Sequence, residues 1–122
     1  MQPNEFLTLA DKLAAMGDEA SHRSAVSRAY YAAYHHCNRW HCQLPAPGSN
    51  AGQQGGVHQT LINQLSNPAP ELSADEKRVS RLLGTRLSIV KKARKKADYN
   101  LQDALLEQEV HDALSMCRAL IA

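Results

Sequence analysis

Hydrophobic positions along the chain recur every three or four residues and nowhere alternate with period two, so every predicted element is a helix. Phe6, Leu9, Leu13 and Met16 mark the first, over residues 5–16, with Asn4 as its cap and Gly17 as its stop. Asp18 caps the second, Glu19 suits its first turn, and the element runs to about Cys42 without Gly or Pro. Val57, Leu61 and Leu65 outline a short third helix over 57–66, ended by Asn67-Pro68-Ala69-Pro70. Ser73 followed by Glu76 is a capping-box signature. It opens a fourth helix over about 74–98, striped by Val79, Leu82, Leu83, Val90, Ala93 and Ala97 and weakened at Gly84. Arg86 falls inside that stripe, so it must reach the surface or find a buried partner. Leu106, Val110, Leu114, Cys117 and Leu120 carry the last helix, about 103–121. Between helices two and three, residues 43–56 hold two prolines and four glycines and read as a flexible connector. The connector lacks the Gly-Lys-Ser/Thr ending of a phosphate-cradling loop, and no strand precedes it. The expected fold class is all-α: an up-and-down four-helix bundle plus one short extra helix, one domain over 1–122.

Helix two organises the rest. At 100° per residue, Val26, Ala29, Tyr30, Ala33, Cys37 and Trp40 share one face, the expected core face. Almost opposite, Ser24, Arg28, Tyr31, His35 and Asn38 form a polar and aromatic stripe. A solvated helix face usually mixes Lys and Glu; this one carries a guanidinium, a phenol and an imidazole. Arg28 and His35 are seven residues apart, two turns along one line of the helix. Helix phase turns His35 rather than His36 toward that stripe, unless a kink intervenes.

Composition adds limits and one asymmetry. The 122 residues carry a net charge of +2 and ordinary apolar and charged fractions. No apolar run approaches the ~20 residues that span a bilayer, and the start of the chain is no signal peptide, so the expected location is cytoplasmic, with no membrane partner. Three cysteines, Cys37, Cys42 and Cys117, read as free thiols. Residues 77–96 hold nine of the fourteen Lys and Arg and no acid, whereas 97–122 hold five acids and only Arg118. The run Lys91-Lys92-Ala93-Arg94-Lys95-Lys96 is therefore either a footprint for backbone phosphates or a basic helix end paired with an acidic neighbour.

Several chemistries compete for these side chains. An imidazole near neutral pKa with a guanidinium beside it suits RNA cleavage by the ribose 2′-hydroxyl, which needs no metal. The structural alternative pairs Arg28 with an acid and packs His35 in the bundle, and spacing alone leaves both open. Cys37 and His41 can share a metal ion, but four converging ligands are missing, so neither metal nor cofactor is expected. Each cysteine lies in or beside an apolar stripe, against a nucleophilic role. Asp98 near a helix C-terminus opposes the macrodipole and requires a partner, either Arg94 or Arg28, while Tyr99 can lie over the bundle end.

The segment from Arg23 to His35, Arg-Ser-Ala-Val-Ser-Arg-Ala-Tyr-Tyr-Ala-Ala-Tyr-His, closely resembles the signature of small prokaryotic HEPN-domain proteins. Arg94-Lys-Lys-Ala-Asp-Tyr99 looks like a second signature of that group, and Gly56-Val57-His58 like the start of its third helix. The resemblance covers roughly residues 5–120. It implies a dimerising helical bundle and often a metal-independent endoribonuclease whose motif is Arg, four to six residues, then His. Arg28 and His35, with six residues between them, match it. In such dimers two motifs face each other across the interface in one RNA cleft. The expected partners are RNA, a second copy of the chain, and an antitoxin or nucleotidyltransferase, in a toxin–antitoxin or defence setting. His35 would be the general acid/base and Arg28 the phosphate clamp. Ser24, Tyr31 and Asn38 would line the cleft, and Lys91, Lys92, Arg94 and Lys95 would attract phosphates. His58, Asp98 and Tyr99 would orient or support. The alternative is a non-catalytic module that holds a nucleotidyltransferase or other partner; a third is nucleotide binding in the cleft.

Overall fold

A computed structural model describes residues 1–50 and 55–122, and among these described residues there are five helices and no strand. They are α1 (Pro3–Ala15), α2 (Glu19–Cys42), α3 (Val57–Ser66), α4 (Ala74–Tyr99) and α5 (Glu107–Ile121). The chain is all-α, as its periodicity predicts. Local start and stop signals act where they stand. Gly17 takes a φ of +83°, a left-handed conformation that glycine adopts without strain. Asp18 accepts the Ser21 N–H at 3.0 Å, and Ser73 and Glu76 exchange reciprocal bonds of 3.1 and 2.9 Å. α1 starts at Pro3 rather than residue 5, because Gln2, not Asn4, is its cap and the Glu5 carboxylate accepts the Gln2 N–H.

α2 lies inside the assembly, packed against α1, α4 and α5, while α3 packs chiefly on α4. Ala25, Ala29, Ala32 and Ala33 have no exposed surface, and such small side chains let several backbones approach one helix. The Ser24–Asn38 stripe, almost opposite the predicted core face, is therefore itself largely covered. Ser24 alone is exposed; Arg28, Tyr31, His35 and Asn38 are half-buried. Phe6 of α1 and Arg94 of α4 lie against the stripe.

Two further departures have long-range causes. Gly84 is a packing residue as well as a weak point in α4: a Cβ there would stand 2.9 Å from Ser66 Oγ and 3.1 Å from Leu65 Cβ. Nearby, the buried Ser80 hydroxyl donates to the Leu65 carbonyl at 2.7 Å. α5 begins at Glu107, not 103, because Arg23 intervenes. Its guanidinium donates to the carbonyls of Lys96 (3.0 Å), Ala97 (3.1 Å), Asn100 (3.4 Å) and Asp103, and to Glu19 at 3.0 Å. The last carbonyls of a helix have no partner within it. Arg23 supplies one for α4 and holds residues 100–106 as a link.

Of the expected 43–56 connector, residues 51–54 lie outside the described residues. Its first half is tethered: the Gly48 N–H donates to His41 Nε2 (3.1 Å), the Ser49 N–H to the Asn67 carbonyl (2.9 Å), and Asn63 to the Asn50 side chain (2.8 Å). Arg86 is half-buried and pairs with no acid among the described residues. No described helix is long and apolar enough to cross a membrane.

Candidate nucleic-acid interface

Charge and aromatic surface converge on Tyr31. Arg28, one turn earlier on α2, places Cζ 4.9 Å from the Tyr31 ring centroid. Arg94 reaches the same ring from α4, with Cζ at 5.7 Å, and donates from Nη2 to Tyr31 Oη (3.4 Å) and Tyr99 Oη (3.5 Å). Arg94 also lies 5.7 Å from the Tyr30 ring and 5.4 Å from that of Tyr99, distances at which a guanidinium is attracted to a ring face. Its Nε is 2.9 Å from Asp98 Oδ2, but the Nε–H is not aimed at the carboxylate and finds no acceptor among the described residues. Asp98 also accepts from the Ser27 hydroxyl at 3.2 Å. Arg94 rather than Arg28 is therefore the partner that Asp98 requires near the end of α4.

His35, one turn beyond Tyr31, stacks on Phe6 at 5.4 Å and 20°, lies 6.3 Å from Tyr31, and meets Tyr34 edge-on at 5.3 Å. Neither ring nitrogen has a hydrogen bond among the described residues. His36 points elsewhere, toward Gln2, Pro3, Arg39 and Ile121, and burial lowers its pKa. His58 closes the cluster from α3. Its Nδ1 is 2.8 Å from Tyr30 Oη and its ring 4.4 Å from Tyr34. Burial, then the charges of Arg94 and Lys91 and the neighbouring His35, lower the His58 pKa, leaving it neutral at pH 7. Burial raises that of Tyr30, so its phenol stays protonated.

Lys91 donates to Gln59 Oε1 at 2.7 Å, and its pKa is lowered by burial and by Lys95 and Arg94. Lys92 and Lys95 are exposed. Of the basic run, only Lys96 meets the acidic last helix among the described residues, pairing with Glu109 at 2.7 Å. The fold thus gathers Arg28, Tyr31, His35, His58, Lys91, Arg94, Asp98 and Tyr99. Ser24 stands apart at the exposed start of the stripe, Asn38 lies in a shallow depression with Tyr34, Val57, Thr60 and Gln64, and Lys92 and Lys95 occupy the outer flank. Phe6, Ser27, Tyr30, Tyr34 and Gln59 belong to the cluster without having been singled out for it. Tyr30 reads from the sequence as a core-face residue, and Tyr34 only as part of the Arg23–His35 segment.

Three half-buried cations, Arg28, Lys91 and Arg94, thus belong to the cluster, and among the described residues only Arg94 is paired with a carboxylate, that of Asp98. Reduced dielectric strengthens the field that their excess charge presents to an anion. The Tyr31 and Tyr99 rings add surfaces on which a planar group can stack. Cys37 is fully buried and burial pushes its thiol up to about 12, as it does that of Cys117. His41 Nε2 is engaged by Gly48. Among the described residues, no three His, Cys, Asp or Glu side chains converge to hold a metal.

No protein-family model, no curated protein and no solved structure matches the chain. Geometry defines its class: an all-helical protein with a cationic, tyrosine-rich cluster where α2, α3 and α4 meet.

Proposed function

We propose that this chain is a HEPN-type RNA-binding protein that cuts RNA without a metal ion, in a toxin–antitoxin or defence system. In this reading α1, α2, α4 and α5 form an up-and-down four-helix bundle, α3 is the short extra helix, and two copies pair to bring their clusters together. One observation carries the reading. Tyr31 lies under two guanidiniums, Arg28 and Arg94, of which only Arg94 is paired with a carboxylate among the described residues, and the imidazole of His35, without a hydrogen bond among those residues, is one turn away. Arg28, with Lys91 and Arg94, holds the phosphate. His35 takes the proton of the ribose 2′-hydroxyl as that oxygen attacks phosphorus. The bond from phosphorus to the 5′-oxygen breaks, that oxygen takes a proton from solvent, to which His35 returns its own, and a 2′,3′-cyclic phosphate and a 5′-hydroxyl remain.

The test is cleavage of labelled single-stranded RNA in EDTA. Wild type cuts, and Arg28→Ala and His35→Ala each lose about 100-fold or more in rate while remaining folded. Equal cutting by all three, or by none, overturns the assignment.

A second reading has its own observation. The flat stack of His35 on Phe6 gives that imidazole a packing role, which favours a non-catalytic module holding a nucleotidyltransferase or another partner protein. Under it, wild type leaves RNA intact and His35→Ala lowers the melting temperature.

A further inference from the structure

Tyr30 and His58 form a couple that the catalytic pair does not use. Tyr30 is wholly buried in α2, yet its hydroxyl reaches the edge of the cluster and meets His58 Nδ1 at 2.8 Å. Among the described residues that hydroxyl has no other hydrogen-bond partner. A buried phenol that keeps its proton must donate it somewhere, because an unmade buried bond is costly. His58 Nδ1 is the acceptor within reach, so the ring proton of the neutral imidazole belongs on Nε2. Nε2 itself makes no hydrogen bond among the described residues.

The groups facing His58 come from two elements. From α2 they are Tyr30, Tyr31, Tyr34 and His35; from α4 they are Lys91 and Arg94. Those two cations disfavour protonating the ring, yet they favour an anion beside it. A neutral N–H held among fixed cations is what a phosphate oxygen needs from a donor that does not reorganise.

The geometry points to His58 as a tautomer-locked hydrogen-bond donor, through Nε2, to a non-bridging phosphate oxygen of the RNA, with Tyr30 as the residue that positions it. This rests on the RNA reading above and adds a specific contact to it. Proton transfer is not asked of His58; the Arg28–His35 pair retains that task. Tyr30 acts only through the imidazole.

Two measurements test it on the intact protein. Two-bond proton–nitrogen NMR of the free wild type reads the tautomer directly, and the expected state is Nε2 protonated with Nδ1 bare. Binding of an uncleavable 2′-O-methyl RNA is then compared among wild type, His58→Ala, Tyr30→Phe and the double variant. Each single change is expected to weaken binding about 10-fold, as for one lost hydrogen bond to a charged group. The double change should weaken it no further, because both remove the same contact. A protonated Nδ1, or RNA binding indifferent to His58, overturns the donor assignment and leaves the RNA reading standing. A wild type that binds no RNA overturns both.

Discussion

Arg23 and Arg94 are both nearly buried, with side chains 9% and 14% exposed, and the molecule treats them in opposite ways. Arg23 spends its donors on Glu19 and on four carbonyls at and beyond the end of α4. Among the described residues, Arg94 has one ion pair, two long bonds to phenols and an Nε–H without an acceptor. A guanidinium with every donor used is a piece of architecture. One surrounded by rings and left short of acceptors has capacity for an anion that arrives from outside. The difference is one of bonding rather than burial, since their exposures are similar.

The sharpest way to break this contrast is unfolding. Arg23→Met removes the cap of α4 and leaves its carbonyls unpaired, at an expected cost of about 3 kcal/mol or more. Arg23→Lys should recover little, because an ammonium cannot span the same set of carbonyls. Arg94→Met should cost only about 1 kcal/mol or less, because its ion pair is poorly aimed and Asp98 keeps the Ser27 hydroxyl. Urea or thermal unfolding measures all three. Equal losses for Arg23→Met and Arg94→Met would erase the distinction.

A smaller effect sharpens it from the far end of α2. His41 accepts the Gly48 N–H, and burial depresses its pKa below the ordinary 6.5. Above that value the ring is neutral in both folded and unfolded chains, and its contribution to stability is complete. As pH falls toward the depressed folded value, the unfolded chain takes up a proton that the folded chain refuses, and stability is lost. His36 and His58, also depressed, act in the same direction. The melting temperature of wild type should therefore fall faster below pH 6.5 than that of His41→Asn. Parallel curves would deny His41 this role.

The helices were legible because their signals are local. Asp18 and Ser21, Ser73 and Glu76, and Gly17 act within a turn of where they stand. The start of α5 was not legible, because it depends on Arg23, which grips Asp103 from 80 residues away. The same division runs through the candidate site. Helix phase aligned Arg28, Tyr31 and His35, and the structure keeps that line. It does not reveal that Phe6, which reads as part of the α1 core stripe, lies on His35, or that Tyr30 reaches His58. Nor did it warn that a stripe opposite one apolar face can be half-buried. The fully buried alanines on several sides of α2 are the residues that carried that information.

The most direct test of the central claim is the salt dependence of RNA binding. Arg28→Ala and Arg94→Ala are measured beside Arg118→Ala, a cation already paired with Asp11 on another face. If the Tyr31 cluster holds phosphates, the slope of log affinity against log salt falls by about one for each of the first two, and Arg118→Ala leaves it unchanged. Equal slopes for all three variants and wild type, or an equal drop for Arg118→Ala, would contradict the account.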